Sequence, residues 1–445
     1  MTTADASLQT SPPSPPQASA EPGRLDAKTG AIVFLAFAAA YFCSALVRAI
    51  TATLAPVLTQ EFSLHARDLG LLAGGYFLGF AAMQLPLGTW LDRHGPKRVI
   101  LCFLAVSVVG CLAFSLSTSF AWLLASRVLV GMGVSACLMA PLTGYRRWYE
   151  PAAVLRANSW MLMTGSLGML ASTLPVQWLM PLTGWRPLFW ILAAMILLSM
   201  AALAWVVPTW QVGRKNGSAE TNTNTNAPAP ASTDADTGYA PIWRSRYFRK
   251  MTPLAFFNYG GLVAVQTLWA GPWMIRVAGY TPLQAATGLF YINATMLVTF
   301  WSWGMVNPWL ARHGWHATRL IAWGMPVSLV VLAFNIAAGS STGWLGWALF
   351  CMGCSVMGLA QPAVGMAFKP SLAGRALSAY NLMIFAGVFT VQWGIGLLID
   401  VFAALGLAQV ATFQAAMGVF LCCCIASYGY FLSVRADNSQ EPPNP

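Results

Sequence analysis

The chain has 445 residues, of which 57% are hydrophobic and 8% are charged, and its formal net charge is +11. Soluble domains carry about 25% charged residues, so these few charges could not cover the surface of a soluble protein of this size. The composition excludes a soluble enzyme, a nucleic-acid reader and a disordered scaffold as first interpretations. It predicts a polytopic membrane protein.

The chain begins with a polar segment and continues as a series of apolar runs. Residues 1–30 are rich in Pro, Ser, Thr and Ala, which predicts a disordered tail and not a cleavable signal peptide. A spanning helix needs roughly 20 mostly apolar residues. We place twelve spans at 31–56, 69–91, 99–116, 121–144, 158–180, 188–208, 253–275, 282–306, 319–339, 342–366, 377–399 and 409–433.

A polar stretch divides the spans into two sets of six. It contains the sequence TNTNTNAPAPASTDAD, which cannot bury enough apolar surface to fold and predicts a flexible linker. The predicted organisation is a tail over 1–30, a first six-helix half over 31–208, the linker over 209–250, a second half over 251–433 and a tail over 434–445.

Short landmarks recur in the two halves at a nearly constant separation. The sequence WLDRHG at 90–95 recurs as WLARHG at 309–314, and VQW at 176–178 recurs at 391–393. Internal repeats of this kind are typical of transporters built from two parallel halves. The repeat therefore predicts a substrate site between the halves, near the bilayer midplane.

Lys and Arg residues are divided unevenly between the two sides of the predicted bundle. Nineteen lie on the side of the termini, three lie on the opposite side, and Arg48 and Arg127 lie within spans. The positive-inside rule therefore places both termini and the linker in the cytoplasm. The short loops favour a bacterial inner membrane, and the basic charge requires no nucleic-acid partner.

Three motifs resemble the major facilitator superfamily. They are GTWLDRHGPKR at 88–98 after the second span, RVLVGMG at 127–133 in the fourth span, and GWR at 184–186 before the sixth; Pro96 departs from the usual basic residue. The resemblance implies an all-α membrane protein with twelve transmembrane helices in two pseudo-symmetric six-helix halves. It also implies a central cavity lined by the first, fourth, seventh and tenth spans.

The resemblance further implies a gate in the loop after the second span. Asp92 would face the N-terminus of the eleventh span, whose partial positive charge attracts a carboxylate, and Arg375 would add to that charge. The alternative is a solvated surface turn. Ala311 replaces the aspartate in the second half, so the symmetric contact should be weaker or absent. The predicted gating residues are Gly88, Asp92, Arg93, Gly95 and Arg375, with glycine at 95 supplying backbone freedom for a tight turn.

Charge inside the membrane is confined to two arginines. None of the thirteen acidic residues lies mid-span, so Arg48 and Arg127 have no fixed carboxylate partner within the spans. A charged side chain at the bilayer centre costs about 2.5–3.5 kcal/mol and usually has a function. Because a guanidinium binds a carboxylate or phosphate as a fork, the pair predicts an anionic substrate. Structural bonding to backbone carbonyls is the alternative for both, and for Arg127 it is the favoured one.

Polar residues on other spans could complete the site. Tyr41, Ser44 and Thr51 share one helical face with Arg48. An arginine in the first span also resembles the organophosphate–phosphate antiporters, but Gln266 occupies the stretch of the seventh span that carries their second arginine, so a phosphorylated substrate is not expected. The predicted substrate-binding residues are Tyr41, Ser44, Arg48, Thr51, Arg127, Tyr259, Gln266, Gln361, Tyr380 and Asn381.

The sequence thus predicts a secondary transporter for a small organic anion. We expect uptake by alternating access, through substrate–proton symport or anion exchange, in a monomer that needs no metal and no cofactor. The expected partners are the substrate, the lipid bilayer and, for symport, protons. A drug or metabolite exporter of the same superfamily is the alternative. A membrane-embedded enzyme or a sensor without transport is disfavoured, because no catalytic group converges on one face.

Overall fold

The computed structural model describes residues 25–208 and 238–434, which form a bundle of helices. The predicted tail up to residue 24, the linker over 209–237 and the tail from 435 onward lie outside the described residues.

Ten helices precede or enter the seventh span: α1 (Ala27–Phe62), α2 (Ala66–Ala82), α3 (Gln84–Ser115), α4 (Phe120–Val134), α5 (Ala136–Trp148), α6 (Pro151–Ala171), α7 (Leu174–Thr183), α8 (Trp185–Val206), α9 (Ala240–Arg244) and α10 (Arg246–Pro253). The remaining helices are α11 (Gly260–Ala264), α12 (Ala270–Arg276), α13 (Pro282–Arg312), α14 (Ala317–Ala338), α15 (Trp344–Cys354), α16 (Ala360–Met366), α17 (Pro370–Ala404) and α18 (Gln409–Ser433). Two π-helical segments, Leu254–Tyr259 and Val265–Trp269, and two 3₁₀ segments, Gly339–Ser341 and Ser355–Leu359, adjoin them.

These helices account for all the predicted spans. Within the described residues, nine helical stretches are long and apolar enough to cross a membrane. The second, fifth and seventh spans are assembled from shorter pieces: α2 with the start of α3, α6 with α7, and α10 to α12 with both π segments. Helices α9 and α10 occupy 240–253, so the last part of the predicted linker is helical and the seventh span begins earlier than expected.

Glycines at matching positions turn the chain between spans in both halves. Gly95 and Gly314 occupy the same place in the WLxRHG repeat, and each has a φ of 75°. Gly95 has a ψ of 165°, a backbone region that is essentially restricted to glycine. The sequence repeat is therefore also a repeat of backbone conformation.

The GWR motif closes the first half on the side away from the termini. Glu61, at the end of α1, accepts hydrogen bonds from Trp185 Nε1 at 2.6 Å and forms an ion pair with Arg186 Nη1 at 2.6 Å. Arg186 Nη2 also donates to the Ser117 carbonyl at 3.2 Å. The motif thus joins the ends of α1 and α3 to the start of α8.

We call the end of the bundle where α1 begins and α18 ends the terminal face, and the opposite end the distal face. The two halves meet closely near the distal face, where α2 packs on α17. A Cβ on Gly70 would lie 2.4 Å from the Gln392 carbonyl oxygen, and a Cβ on Gly396 would lie 2.4 Å from that of Ala66. The backbones can approach this closely only because both residues are glycine.

A carboxylate from the second half reinforces this contact. Asp400, near the end of α17, accepts hydrogen bonds from the backbone N–H groups of Ala66 at 3.2 Å and Arg67 at 3.1 Å. These groups open α2, so the carboxylate lies at the positive end of that helix. Arg67 Nε lies 3.9 Å from the same carboxylate. The distal side of the interface between the halves is therefore closed.

Candidate functional site

A cavity of about 640 Å³ lies between the two halves. The first half contributes α1 and α6, and the second contributes the seventh span, α13 and the tenth span. Its lining runs over 159–169 on α6, 293–307 on α13 and 355–361 in the tenth span, from mid-bundle toward the terminal face. With the distal side closed, the cavity opens toward the terminal face.

The lining differs from the expectation for one span. The fifth and eighth spans contribute many residues, whereas none of the residues that line the cavity comes from α4 or α5. The fourth span was expected to line the cavity, but α4 packs mainly against α2 and α3 and reaches α1 through Arg127.

Arg48 is the only charged residue among the described residues that line the cavity. The electrostatic neighbours of its guanidinium are the phenols of Tyr41, Tyr76 and Tyr259, and the Tyr41 hydroxyl also forms a side-chain hydrogen bond with it. Its Nε atom is buried and has no hydrogen-bond partner among the described residues. The cavity thus holds a positive charge, and its described lining contains no carboxylate to neutralise it.

Arg127 lies outside the cavity, in the packing of the first half. It is 1% exposed, and its Nη1 donates to the Val47 carbonyl at 3.1 Å while its Nη2 donates to Thr51 Oγ1 at 2.5 Å. Its guanidinium also lies over the rings of Tyr76, at 5.3 Å from the centroid, and Phe114, at 5.9 Å. The structure therefore supports a packing role for Arg127 and not its predicted contact with substrate.

Two other residues of the predicted polar face of α1 are also buried away from the cavity. Thr51 is 3% exposed and is taken up by its bond to Arg127. Ser44 is 1% exposed, and its carbonyl accepts a hydrogen bond from the Tyr76 hydroxyl at 3.4 Å. The face splits because α1 is enclosed on several sides: Tyr41 and Arg48 line the cavity, whereas Ser44 and Thr51 contact neighbouring helices.

The seventh span places a paired amide on the cavity wall. Gln266 lies in the second π-helical segment, and its Nε2 donates to Asn293 Oδ1 at 2.9 Å. Asn293 Nδ2 in turn donates to the Leu289 carbonyl at 2.9 Å, within α13. Tyr259 lines the same cavity from the first π-helical segment. π-Helical turns often occur at functional sites because they redirect side chains.

The tenth and eleventh spans form a second amide pair. Gln361 lines the cavity, and its Nε2 donates to Asn381 Oδ1 at 2.8 Å. Asn381 is 5% exposed and supports Gln361 from behind. Tyr380 is 1% exposed, lies outside the cavity, and its hydroxyl has no hydrogen-bond partner among the described residues. Of the three predicted residues in this region, only Gln361 reaches the cavity.

Sequence reasoning missed the aromatic and methionine wall that α6 and α13 supply. Trp160 and Met163 line the cavity from α6, while Phe300 and Trp303 line it from α13. The Gly165–Ser166 pair in the fifth span was the sequence signal available for this wall. In the structure, a Cβ at Gly165 would lie 2.6 Å from the Tyr41 ring. Glycine at this position lets the Tyr41 ring enter the wall.

The predicted gate is disengaged in this conformation. Asp92 and Arg93 are exposed, and no hydrogen bond or ion pair joins Asp92 to another described residue. Gly88 approaches α17, where a Cβ on it would lie 4.0 Å from Ser378 Oγ. Arg375 is half-buried and lies near Tyr239, where burial raises the pKa of the phenol and the guanidinium opposes that rise. A gating role for these residues stays a prediction.

Comparisons with known proteins agree with this architecture. The sequence model of the Major Facilitator Superfamily matches residues 37–392. The chain superposes on a bacterial homolog of the human lysosomal transporter Spinster, in its inward-facing and unoccupied conformation, with a TM-score of 0.74 and 17% identity, covering 94% of this chain and 99% of that one. For a D-xylose–proton symporter the TM-score is 0.70 at 11% identity, with 93% and 100% covered.

The alignments with curated relatives cover less of each chain than the structural superpositions do. The probable sulfoacetate transporter SauU of Cupriavidus necator is 24% identical over 55% of this chain and 57% of its own length. The 4-hydroxybenzoate transporter PcaK of Pseudomonas aeruginosa is 30% identical over 33% of each chain. The methyl viologen resistance protein SmvA of Salmonella typhimurium is 29% identical over 36% of this chain and 33% of its own. These alignments thus span from a third to just over half of each relative. The family match, the twelve spans and the shared fold together show that this chain belongs to the major facilitator superfamily of membrane transporters.

Proposed function

We propose that the protein is a secondary transporter that carries a small organic monoanion in the cavity at Arg48. The observation that carries this proposal is that Arg48 is the only charged residue among the described residues lining the cavity. Arg48 is only partly exposed, and a partly buried charge without a counter-charge is costly. A monoanion neutralises that charge, whereas a dianion leaves one negative charge and a cation adds a second positive one.

The size and the walls of the cavity favour an organic substrate. A volume of about 640 Å³ falls in the range of small-molecule sites, which are mostly apolar with a few placed polar groups. Aromatic rings from Trp160, Phe300 and Trp303 line it beside the polar residues. The named substrate of one relative, 4-hydroxybenzoate, is an organic monoanion, which supports this class. The named substrate of another, sulfoacetate, is also an organic acid but carries two negative charges, so it supports an organic anion and not the single charge.

The same observation, a positive charge in the described lining, gives less support to the alternative of a drug exporter. A relative named for methyl viologen resistance shows that resistance proteins occur among similar sequences. Export of a cationic drug, however, calls for negative charge in the cavity, and no acidic residue belongs to the described lining. We therefore place export of cations second.

We propose that the terminal face is cytoplasmic, because Lys and Arg are concentrated in the segments on that side. The cavity then opens toward the cytoplasm, as expected for the releasing step of uptake. Because the cavity lies within a single chain, the proposed working unit is a monomer, and the proposed location is a bacterial inner membrane. Substrate–proton symport, with the proton on the acid group of the substrate, and anion exchange both fit a cavity whose described lining holds no carboxylate.

Ligand-induced stabilisation of the purified protein tests this proposal. The probes are the monoanions benzoate and 4-hydroxybenzoate, the dianion sulfoacetate, which should bind more weakly than the monoanions, and tetraphenylphosphonium as the cationic counterpart. At least one acid should stabilise the wild type, and Arg48→Gln should weaken its binding about tenfold to hundredfold, because a hydrogen-bonded charge is lost. Arg48→Lys keeps the charge and should bind more tightly than Arg48→Gln.

Counterflow of the bound acid in proteoliposomes separates a transporter from a protein that only binds. Stabilisation by the cation alone, with Arg48→Gln leaving that binding intact, would refute the anion proposal. Binding of an acid without counterflow would instead refute transport of that acid.

A further inference from the structure

The second half of the protein presents hydrogen-bond acceptors to the cavity, and their orientation is fixed by neighbouring groups. A carbonyl oxygen can only accept, so the bond to the Leu289 carbonyl identifies the Asn293 atom that makes it as the amide nitrogen. Asn293 therefore turns its oxygen toward Gln266. Only the nitrogen of Gln266 can donate to that oxygen, which it does at 2.9 Å.

This chain of bonds leaves the carbonyl oxygen of Gln266 for the cavity. Gln266 lines the cavity although it is only 7% exposed, and no described residue donates a hydrogen bond to its Oε1. The oxygen itself is accessible from the cavity, so water can donate to it when the cavity is empty, and a substrate that displaces this water must supply a donor in its place. Gln266 Oε1 is thus a free hydrogen-bond acceptor on the cavity wall. It lies on the π-helical segment that packs against α1, the helix that carries Arg48.

Gln361 repeats the arrangement on the tenth span. Its Nε2 is used by Asn381 Oδ1, at 2.8 Å, and no described residue donates to its Oε1. Both glutamines belong to the second half, whereas the guanidinium of Arg48 belongs to the first. Of these three groups, the cation therefore belongs to the first half and both amide acceptors belong to the second.

We propose that the substrate is a hydroxylated monoacid, whose anionic group binds Arg48 and whose hydroxyl group donates to Gln266 Oε1. This inference rests on the proposed function and names the substrate class more closely. An ammonium group is the other common donor, but it would add a positive charge beside Arg48 in a cavity whose described lining holds no carboxylate. A hydroxyl group can donate to Gln266 Oε1 without adding a positive charge near Arg48.

Paired ligands test the proposal on the unmodified protein. Affinities are measured for benzoate and its three monohydroxy isomers, and for propionate and lactate. At least one hydroxylated acid should bind about tenfold more tightly than its partner, because without a donor the amide oxygen stays unpaired. If no hydroxylated acid binds more tightly than its partner, the hydroxyl inference is overturned.

Two variants locate the preference. Gln266→Met keeps the length of the side chain without an acceptor, so in this variant the hydroxylated acid should bind no more tightly than its unhydroxylated partner. Asn293→Leu frees the amide of Gln266 to rotate, so it should reduce the preference in the same direction. A preference that survives both variants would overturn the assignment to Gln266.

Arg48→Gln separates this inference from the function on which it rests. If benzoate and its isomers bind equally and all lose affinity in Arg48→Gln, the monoanion proposal stands and the hydroxyl inference fails. If Arg48→Gln leaves all affinities unchanged, the monoanion proposal itself fails. If none of these acids binds the wild type, both are contradicted for this class of substrate.

Discussion

The bond between Thr51 and Arg127 gives the sharpest test of which arginine is structural. Arg127 is 1% exposed and holds two side-chain bonds, to the Val47 carbonyl and to Thr51 Oγ1. Thr51→Val keeps the shape of the side chain and removes one acceptor, so a charged donor is left unpaired in a buried place. Hydrogen bonds to charged groups contribute about 1.5–3 kcal/mol in soluble proteins. Interhelical bonds within membranes average about 0.6 kcal/mol and reach about 1.7 kcal/mol.

We therefore expect Thr51→Val to lower the free energy of unfolding by about 1–2 kcal/mol. Thr53→Val is the matched control, because Thr53 Oγ1 donates to the Ser172 carbonyl at 2.8 Å in a bond without charge. It should cost about 0.6 kcal/mol. Thr51→Ser keeps the hydroxyl group and should stay close to the wild type.

Reversible unfolding in detergent micelles measures the stabilities, and ligand binding to the same variants measures the site. Affinity for the acid that binds Arg48 should change little in Thr51→Val. Equal losses in Thr51→Val and Thr53→Val would refute the charge-assisted bond. A large loss of affinity in Thr51→Val with unchanged stability would instead indicate that Arg127 contributes to substrate binding.

Two further expectations concern the distal closure between the halves. Asp400→Asn removes the charge at the start of α2, worth about 0.3–1 kcal/mol, so amide hydrogen exchange there should rise roughly twofold to fivefold; unchanged exchange would contradict a closing role. Gly396→Ala would bring a Cβ within 2.4 Å of the Ala66 carbonyl oxygen and should greatly slow counterflow, whereas Gly394→Ala, with nothing within 4 Å, should leave it near the wild-type rate. Equal rates in the two alanine variants would show that this contact does not limit transport.

The sequence was sufficient for the architecture because lipid imposes strong rules. A spanning helix must be long and apolar, so the predicted spans at 282–306 and 409–433 coincide closely with α13 (Pro282–Arg312) and α18 (Gln409–Ser433). The turn at Gly95 was also predictable, because its glycine has a φ of 75°.

The division of polar residues between cavity and packing was harder to predict. Helical periodicity placed Ser44 and Thr51 on one face with Arg48, but it could not show that α1 is surrounded by helices on several sides. The sequence favoured a structural role for Arg127 over Arg48, but the partners that Arg127 binds are visible only in three dimensions. The π-helical segments of the seventh span were also missed, since one extra residue per turn leaves little trace in a hydropathy pattern.

The position of Arg127 has a consequence for how ligands are sorted. Its bonds to Val47 and Thr51 join α4 to the turn of α1 that carries Arg48, so under the proposed alternating access Arg48 should move together with the first half. The glutamine oxygens travel with the opposite half. A compound that binds both Arg48 and the glutamine oxygens links the two halves, so we expect the cavity to close around it. A compound that binds Arg48 alone occupies the cavity, and we do not expect the halves to close around it. Such a compound should act as a competitive inhibitor that is not itself transported.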